Sequence, residues 1–216
     1  MDASTFRAWI DEAARLVVEN ADHLTHLDGA IGDADHGVNL RRGFQAAVTT
    51  LVETSPATPA AVLSAVGRSL ISKTGGASGP LYGTAFRRAA KVLGEGAEVD
   101  PVQLGAALRA ALDGIRQLGA ANEGDKTMVD AFAPAVRAYQ AVVDEGGDLA
   151  AATRAAADAA EQGLRKTVDM QARKGRASYL GARTVGHEDP GAASTVLILR
   201  ALASATAGAP AEREAP

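Results

Sequence analysis

Three aspartates, Asp28, Asp33 and Asp35, stand in one short stretch, Leu27-Asp28-Gly29-Ala30-Ile31-Gly32-Asp33-Ala34-Asp35-His36-Gly37. Carboxylates crowded this closely repel one another unless a cation sits among them. Hard oxygen donors in a chain without cysteine favour Mg²⁺ over a softer metal. The stretch lacks the ligand spacing and terminal glutamate of an EF-hand. A lone Asp-x-Asp also serves as helix cap and turn former; the third aspartate and the glycines at 29, 32 and 37 turn the reading toward metal. Gly37-Val38-Asn39 then opens a helix, whose free N–H groups suit an anion.

Three more segments carry chemistry. Gly75-Gly76-Ala77-Ser78-Gly79-Pro80 is small-residue backbone leading into a helix, able to form a phosphate nest or simply a helix end and turn. It is no Walker A loop, because no Gly-Lys-Ser/Thr follows and no strand precedes. Gly119 and Gly124-Asp125-Lys126-Thr127 mimic that motif, but the inserted Asp125 and the helical context break it. Lys126 and Thr127 remain possible phosphate contacts, as does Gly76; for Lys126 a helix-terminal surface position and, given its place among the acidic and glycine loops, a phosphate contact carry equal weight. The fourth segment runs from Arg173 to Gly191, and its Arg176 and Arg183 suit a polyphosphate that Mg²⁺ only partly neutralises. Arg173 and Lys174 fit a basic helix end. Asp189-Pro190 also fits an N-cap and first helical residue. His23 and His26 read as surface side chains. Metal-binding carboxylates, backbone nests and a few cations together describe a nucleotide diphosphate or triphosphate site.

The elements that must position these loops read as all-α. Helical periodicity runs from end to end, with no sustained strand alternation. The 216 residues suit one domain, expected over 1–207, with a disordered tail over 208–216. Of these, 49 are alanine and only 4% are aromatic, so the core must be built from closely approaching helices. The spacing predicts eight: Ser4 to about His26, Val38 to Glu53, Thr58-Pro59 to the Gly75-Gly76 break, Pro80 to Leu93, Asp100-Pro101 to Leu118, Thr127 to Asp144 with a kink at Pro134, Asp148 to about Arg173, and one from near Gly191 to Ala207. Short links make the simplest packing an up-and-down bundle. Loops after odd-numbered helices then share one end, and these are the four rich ones. The other end receives only stops and caps. With 22 Lys+Arg against 26 Asp+Glu the net charge is −4, which argues against a nucleic-acid partner. No apolar run approaches membrane-spanning length, and Met1-Asp2-Ala3-Ser4-Thr5-Phe6 does not resemble a signal peptide; no membrane partner and a cytoplasmic location are expected.

Ile31-Gly32-Asp33-Ala34-Asp35-His36-Gly37-Val38-Asn39, Gly75 through Thr84, Gly124-Asp125-Lys126-Thr127-Met128 and Met170 through Gly181 together resemble the nucleotide-binding L subunits of dihydroxyacetone kinase, over nearly the whole chain. The resemblance implies an antiparallel eight-helix barrel with the nucleotide at one end. It further implies that Asp28, Asp33 and Asp35 hold two Mg²⁺ ions, that His36, Gly37, Val38, Asn39, Ala77 and Ser78 meet the phosphates, and that Gly119, Met128, Arg176, Asp189, Pro190 and Gly191 complete the pocket. The implied chemistry is a relay: tightly bound ADP, cycling with ATP, accepts phosphoryl from a phosphohistidine of an M subunit and passes it to dihydroxyacetone on a K subunit. No nucleophile on this chain is required. Two alternatives stay open, a subunit of an ATP-dependent kinase for dihydroxyacetone or a related ketose, and a non-catalytic ADP/Mg²⁺-binding regulatory module.

Overall fold

The computed structural model describes residues 1–207; the expected disordered tail, 208–216, lies outside the described residues. Among the described residues nine α-helices follow in order: α1 (Ala3–Glu19), α2 (Ala21–Ile31), α3 (His36–Thr54), α4 (Pro59–Lys73), α5 (Ser78–Leu93), α6 (Pro101–Gly119), α7 (Met128–Asp144), α8 (Leu149–Lys166) and α9 (Pro190–Ala207). Two 3-10 segments, Thr167–Asp169 and Arg176–Thr184, lie between α8 and α9. No strand occurs among the described residues, and none of their helices is long and apolar enough to cross a membrane.

Helix starts follow local chemistry. Thr58 and Asp100, each followed by proline, cap α4 and α6, and Asp148 caps α8, as the sequence indicates. Helix α1 begins ahead of Ser4, capped by Asp2. Its Oδ1 accepts from the Thr5 amide at 2.9 Å and from the Thr5 and Ser4 hydroxyls, which hold its carboxyl down at about 2.

Two boundaries differ from expectation for identifiable reasons. The first helix breaks at Asn20, whose side-chain amide donates to the Leu16 carbonyl at 2.8 Å and so competes with the helical ladder. The eighth stops at Lys166, because the Thr167 and Met170 carbonyls turn to the Lys126 ammonium instead of continuing the ladder. Helix α7 carries Pro134 inside its span, at the place where the sequence predicts a kink.

Packing closes the helices into a ring. Helix α1 lies on α3, each of α3 to α8 lies on its successor, and α9 returns to α1; α2 sits against α3 and α9. This is the antiparallel barrel of about eight helices, with the break at Asn20 adding an extra segment. Small residues let the backbones approach: the buried face of α8 is made only of Ala152, Thr153, Ala156, Ala157, Ala160 and Gly163. Aromatics fill one zone, where Trp9 meets Phe6 edge-on at 5.9 Å, lies 5.7 Å from Phe86 and donates its indole N–H to the Ile198 carbonyl at 2.9 Å.

Candidate functional site

The four rich loops are the links α2–α3, α4–α5, α6–α7 and α8–α9, and together they line one cavity of about 630 Å³. That size lies within the usual range for small-molecule pockets, roughly 300–1,000 Å³.

Asp28 stands on the last turn of α2 and is buried. Its Oδ2 accepts from the backbone N–H of Asp35 at 2.9 Å and of His36 at 3.2 Å, which folds the link back on itself. A side chain at residue 32 would collide with this carboxylate, since a Cβ there would lie 2.1 Å from Asp28 Oδ1; hence the glycine. The fold brings one oxygen of each of Asp28, Asp33 and Asp35 within 4.8 Å of the others. Three hard oxygens converging on one point, one carboxylate buried and one exposed, fit a divalent cation of the Mg²⁺ type. The Arg176 guanidinium, on the α8–α9 link, meets Asp33 Oδ2 at 2.9 Å from across the cavity.

Helix N-termini supply the second element. Helices α1, α4, α6, α7 and α8 each have their first amides capped by a side chain. Helix α5, which opens beside the acidic link, has no such cap, and at α3 only the first amide, that of His36, is taken, by Asp28 Oδ2. Free amides and the positive end of the helix dipole at these two points favour a phosphate. Residues His36 and Asp35 at α3, and Gly76, Ala77 and Ser78 at α5, line the cavity. Gly76 adopts φ +65°, a turn that carries the chain directly into α5.

Beneath the carboxylates runs a buried polar chain. His36 Nε2 pairs with Ser194 Oγ at 2.9 Å, and Tyr82 OH lies 2.8 Å from both Ser194 Oγ and Thr195 Oγ1 and donates to the Gly191 carbonyl at 3.1 Å. Burial pushes the His36 imidazole toward its neutral form against the pull of Asp28 and Asp35. Burial likewise raises the Asp189 carboxyl to about 7, while its Oδ2 caps α9 through the Ala192 amide at 2.7 Å.

Most of the expected residues meet here: Asp28, Asp33, Asp35, His36, Gly76, Ala77, Ser78, Gly119, Thr127, Met128, Arg176, Asp189, Pro190 and Gly191 all line the cavity. Gly37, Val38 and Asn39 form the first turn of α3 but are absent from its wall. Gly37 instead lets α2 and α3 touch, since a Cβ there would lie 1.9 Å from the Ala21 carbonyl. Arg183 is exposed and off the wall, with its Nε directed to the Leu180 carbonyl.

Lys126 is corrected most sharply. It contributes to the wall but is only 1% exposed, and its ammonium donates to the carbonyls of Thr167 (2.6 Å), Met170 (3.1 Å), Thr184 (2.8 Å) and His187. Three N–H bonds already shared among four acceptors leave none for a phosphate. Lys126 fastens both ends of the segment that presents Arg176. The cavity also has an apolar wall, Ile31, Leu81, Ile115, Ala121 and Val129, which suits a planar base, and the highly exposed Tyr179 at its mouth, none of which the loop motifs mark. Periodicity assigns such apolar residues to helix cores, so only their nearness to the loops hinted at a second role.

The DAK2 domain model matches residues 30–204. The chain is 40% identical over 197 residues to the ADP-binding subunit of the PEP-dependent dihydroxyacetone kinase of Escherichia coli, covering 91% of this chain and 94% of that one. It is 41% identical over 194 residues to an ADP-binding subunit of a PEP-dependent dihydroxyacetone kinase of Listeria innocua, covering 90% and 92%. Among solved structures, the dihydroxyacetone kinase of C. freundii in complex with AMP-PNP and Mg²⁺ superposes with a TM-score of 0.72 at 26% identity. That match covers 94% of this chain and spans about a third, 34%, of that one.

Proposed function

The chain belongs to the DAK2-domain family, and on that footing we propose that it is the ADP-binding subunit of a multi-subunit dihydroxyacetone kinase, a phosphotransferase. The observation that carries this reading is the convergence, in one cavity, of three carboxylates and the starts of α3 and α5, the second without a side-chain cap. Asp28, Asp33 and Asp35 would hold two Mg²⁺ ions, which would supply the charge neutralisation that phosphoryl transfer needs. The amides opening α3 and α5 hold the phosphate oxygens, with Ala77 and Ser78 at the second start. Arg176 supplies a planar cation at the mouth. The apolar wall with Gly119, Met128 and Pro190 receives the nucleoside, and Asp189 fixes the start of α9 beside it.

In this reading ADP stays tightly bound and functions as a coenzyme, converted to ATP and back within one catalytic cycle. An M subunit supplies phosphoryl from a phosphohistidine, and a K subunit presents dihydroxyacetone. The chain's own part is to orient and neutralise the diphosphate while both partners approach the same end of the barrel. A cytoplasmic setting suits such a relay.

The test mixes the chain with a ketose-binding K subunit and dihydroxyacetone, and compares a phosphohistidine donor protein with free ATP. Multiple turnovers with the phosphohistidine donor, and a single stoichiometric burst with ATP, are expected. Sustained turnover on ATP alone would assign the chain to an ATP-dependent kinase instead. Nucleotide binding without transfer from either donor would make it a regulatory module.

A further inference from the structure

The hairpin α4–α5 with its flanking residues, 54–94, contains no aspartate or glutamate but five cations, Arg68, Lys73, Arg87, Arg88 and Lys91. The rest of the chain is left with 17 cations against all 26 carboxylates. A mildly acidic molecule therefore carries one strongly basic face. Backbone geometry opens a groove in that face. Helices α4 and α5 touch at Gly67 and Gly83, where an added Cβ on either would lie 2.8 Å or 2.7 Å from the other's carbonyl oxygen. From this crossing a groove of about 760 Å³ extends to the loops at Thr54–Thr58 and Gly94–Glu95, which belong to the end of the barrel opposite the nucleotide cavity.

The cations on this groove are set in place. The stem of Arg87 lies over Gly67 and that of Arg88 over Gly114, since a Cβ on either glycine would fall 2.6 Å and 3.0 Å from their respective Cγ atoms. Arg68 is held by Ser64 Oγ at 2.9 Å and Arg88 by Gln117 Oε1 at 2.8 Å, both neutral partners. Among the described residues no carboxylate forms an ion pair with Arg68, Arg87, Arg88 or Lys91, whereas Arg15, Arg116, Arg137, Arg165 and Arg200 on other faces all pair with glutamates.

We propose that this groove docks a carboxylate-rich segment of a partner protein. All four cations are exposed, so a single small anion would gain at most about 1 kcal/mol per contact against water and salt. A segment bearing several carboxylates meets all of them together, and the small floor residues Ala61, Ala65 and Ala90 leave room for its backbone. The charge asymmetry also steers such a segment to this face rather than to the acidic remainder. Docking there leaves the nucleotide cavity open, so a partner stays attached while others visit the opposite end. The inference stands independently of the phosphoryl relay.

The test titrates the full chain, loaded with Mg²⁺ and ADP, into a fluorescein-labelled glutamate-rich peptide and follows anisotropy at low salt. Binding that weakens with salt is expected. The charge reversal Arg68→Glu, Arg87→Glu and Lys91→Glu should weaken it by about tenfold or more, with ADP affinity and far-UV circular dichroism unchanged. The corresponding glutamine substitutions should give an intermediate loss, which keeps the test decisive if the reversal misfolds. No measurable binding, equal affinity in the glutamine variant, stronger binding of single-stranded DNA, or displacement of the peptide by tripolyphosphate at its own concentration would each overturn the assignment to an acidic protein segment.

Discussion

Replacing Lys126 with methionine keeps the length of the side chain and removes its charge and donors. Four carbonyl oxygens, of Thr167, Met170, Thr184 and His187, then lose their partner in the interior. A buried polar group left unpaired costs about 1–3 kcal/mol. Some of the four regain water, because the segment they belong to lies at the surface, and methionine recovers the cost of burying an ammonium. A net destabilisation of about 3–5 kcal/mol follows, the range for breaking a buried charged network. For a chain of this size each kcal/mol moves the melting temperature by roughly 2–4 °C, so Tm should fall by about 10 °C. The assay is thermal unfolding by circular dichroism with chelator and without nucleotide, paired with ADP titration of the folded protein. Trypsin should also cut faster after Lys174 and Arg176. If Lys126 were a phosphate ligand, the variant would instead keep its nucleotide-free Tm and lose only ADP affinity. That result would refute the structural role.

Asp189→Asn, studied with chelator, should remove a pH dependence. A carboxyl raised to about 7 by burial holds a proton that the unfolded chain releases near 4. The stability it contributes is thus fully present below about pH 4 and lost as pH rises to about 7. The difference from wild type should reach up to about 4 kcal/mol across that window; parallel pH profiles from urea unfolding would contradict the assignment. Tyr82→Phe removes the hydroxyl that joins Gly191, Ser194 and Thr195, and should lower stability by about 1–2 kcal/mol while weakening ADP a few-fold by loosening His36. An unchanged Tm and unchanged affinity would count against the buried chain. Arg176→Ala should weaken ADP by about tenfold, yet leave Mg²⁺ titrated alone bound no more weakly, because Arg176 is the counter-charge of Asp33. Calorimetry showing both weakened together would be inconsistent with that competition.

Local signals made much of this legible from sequence. Thr58-Pro59, Asp100-Pro101 and Asp148 announce their helices because a cap and its helix are neighbours in the chain. The four rich loops sort to one end because alternating helix direction needs only the order of elements. What escaped is non-local. The acceptors of Lys126 lie 41 to 61 residues further along, so no spacing rule distinguishes a lysine that fastens a loop from one that meets a phosphate. The end of α8 at Lys166 depends on the same contact. Leu81, Ile115 and Val129 show the period of core residues, and their place on the cavity wall appears only when four links are brought together. Asn20 breaks the first helix through a side-chain bond that propensity alone undervalues.

If Asp28, Asp33 and Asp35 together form a divalent-cation site for a nucleoside diphosphate in this cavity, nucleotide binding must depend on both the metal and the carboxylates. Isothermal titration of ADP into the nucleotide-stripped chain, with Mg²⁺ and then with chelator, tests it most directly when repeated on Asp35→Asn, a change at a half-buried side chain whose loss the fold should tolerate. One ADP per chain is expected with Mg²⁺, with a loss of affinity of at least about a hundredfold both on chelation and in the variant, from the removed charge-assisted contacts. Equal affinity with and without Mg²⁺, or no ADP binding by a folded chain, would contradict it.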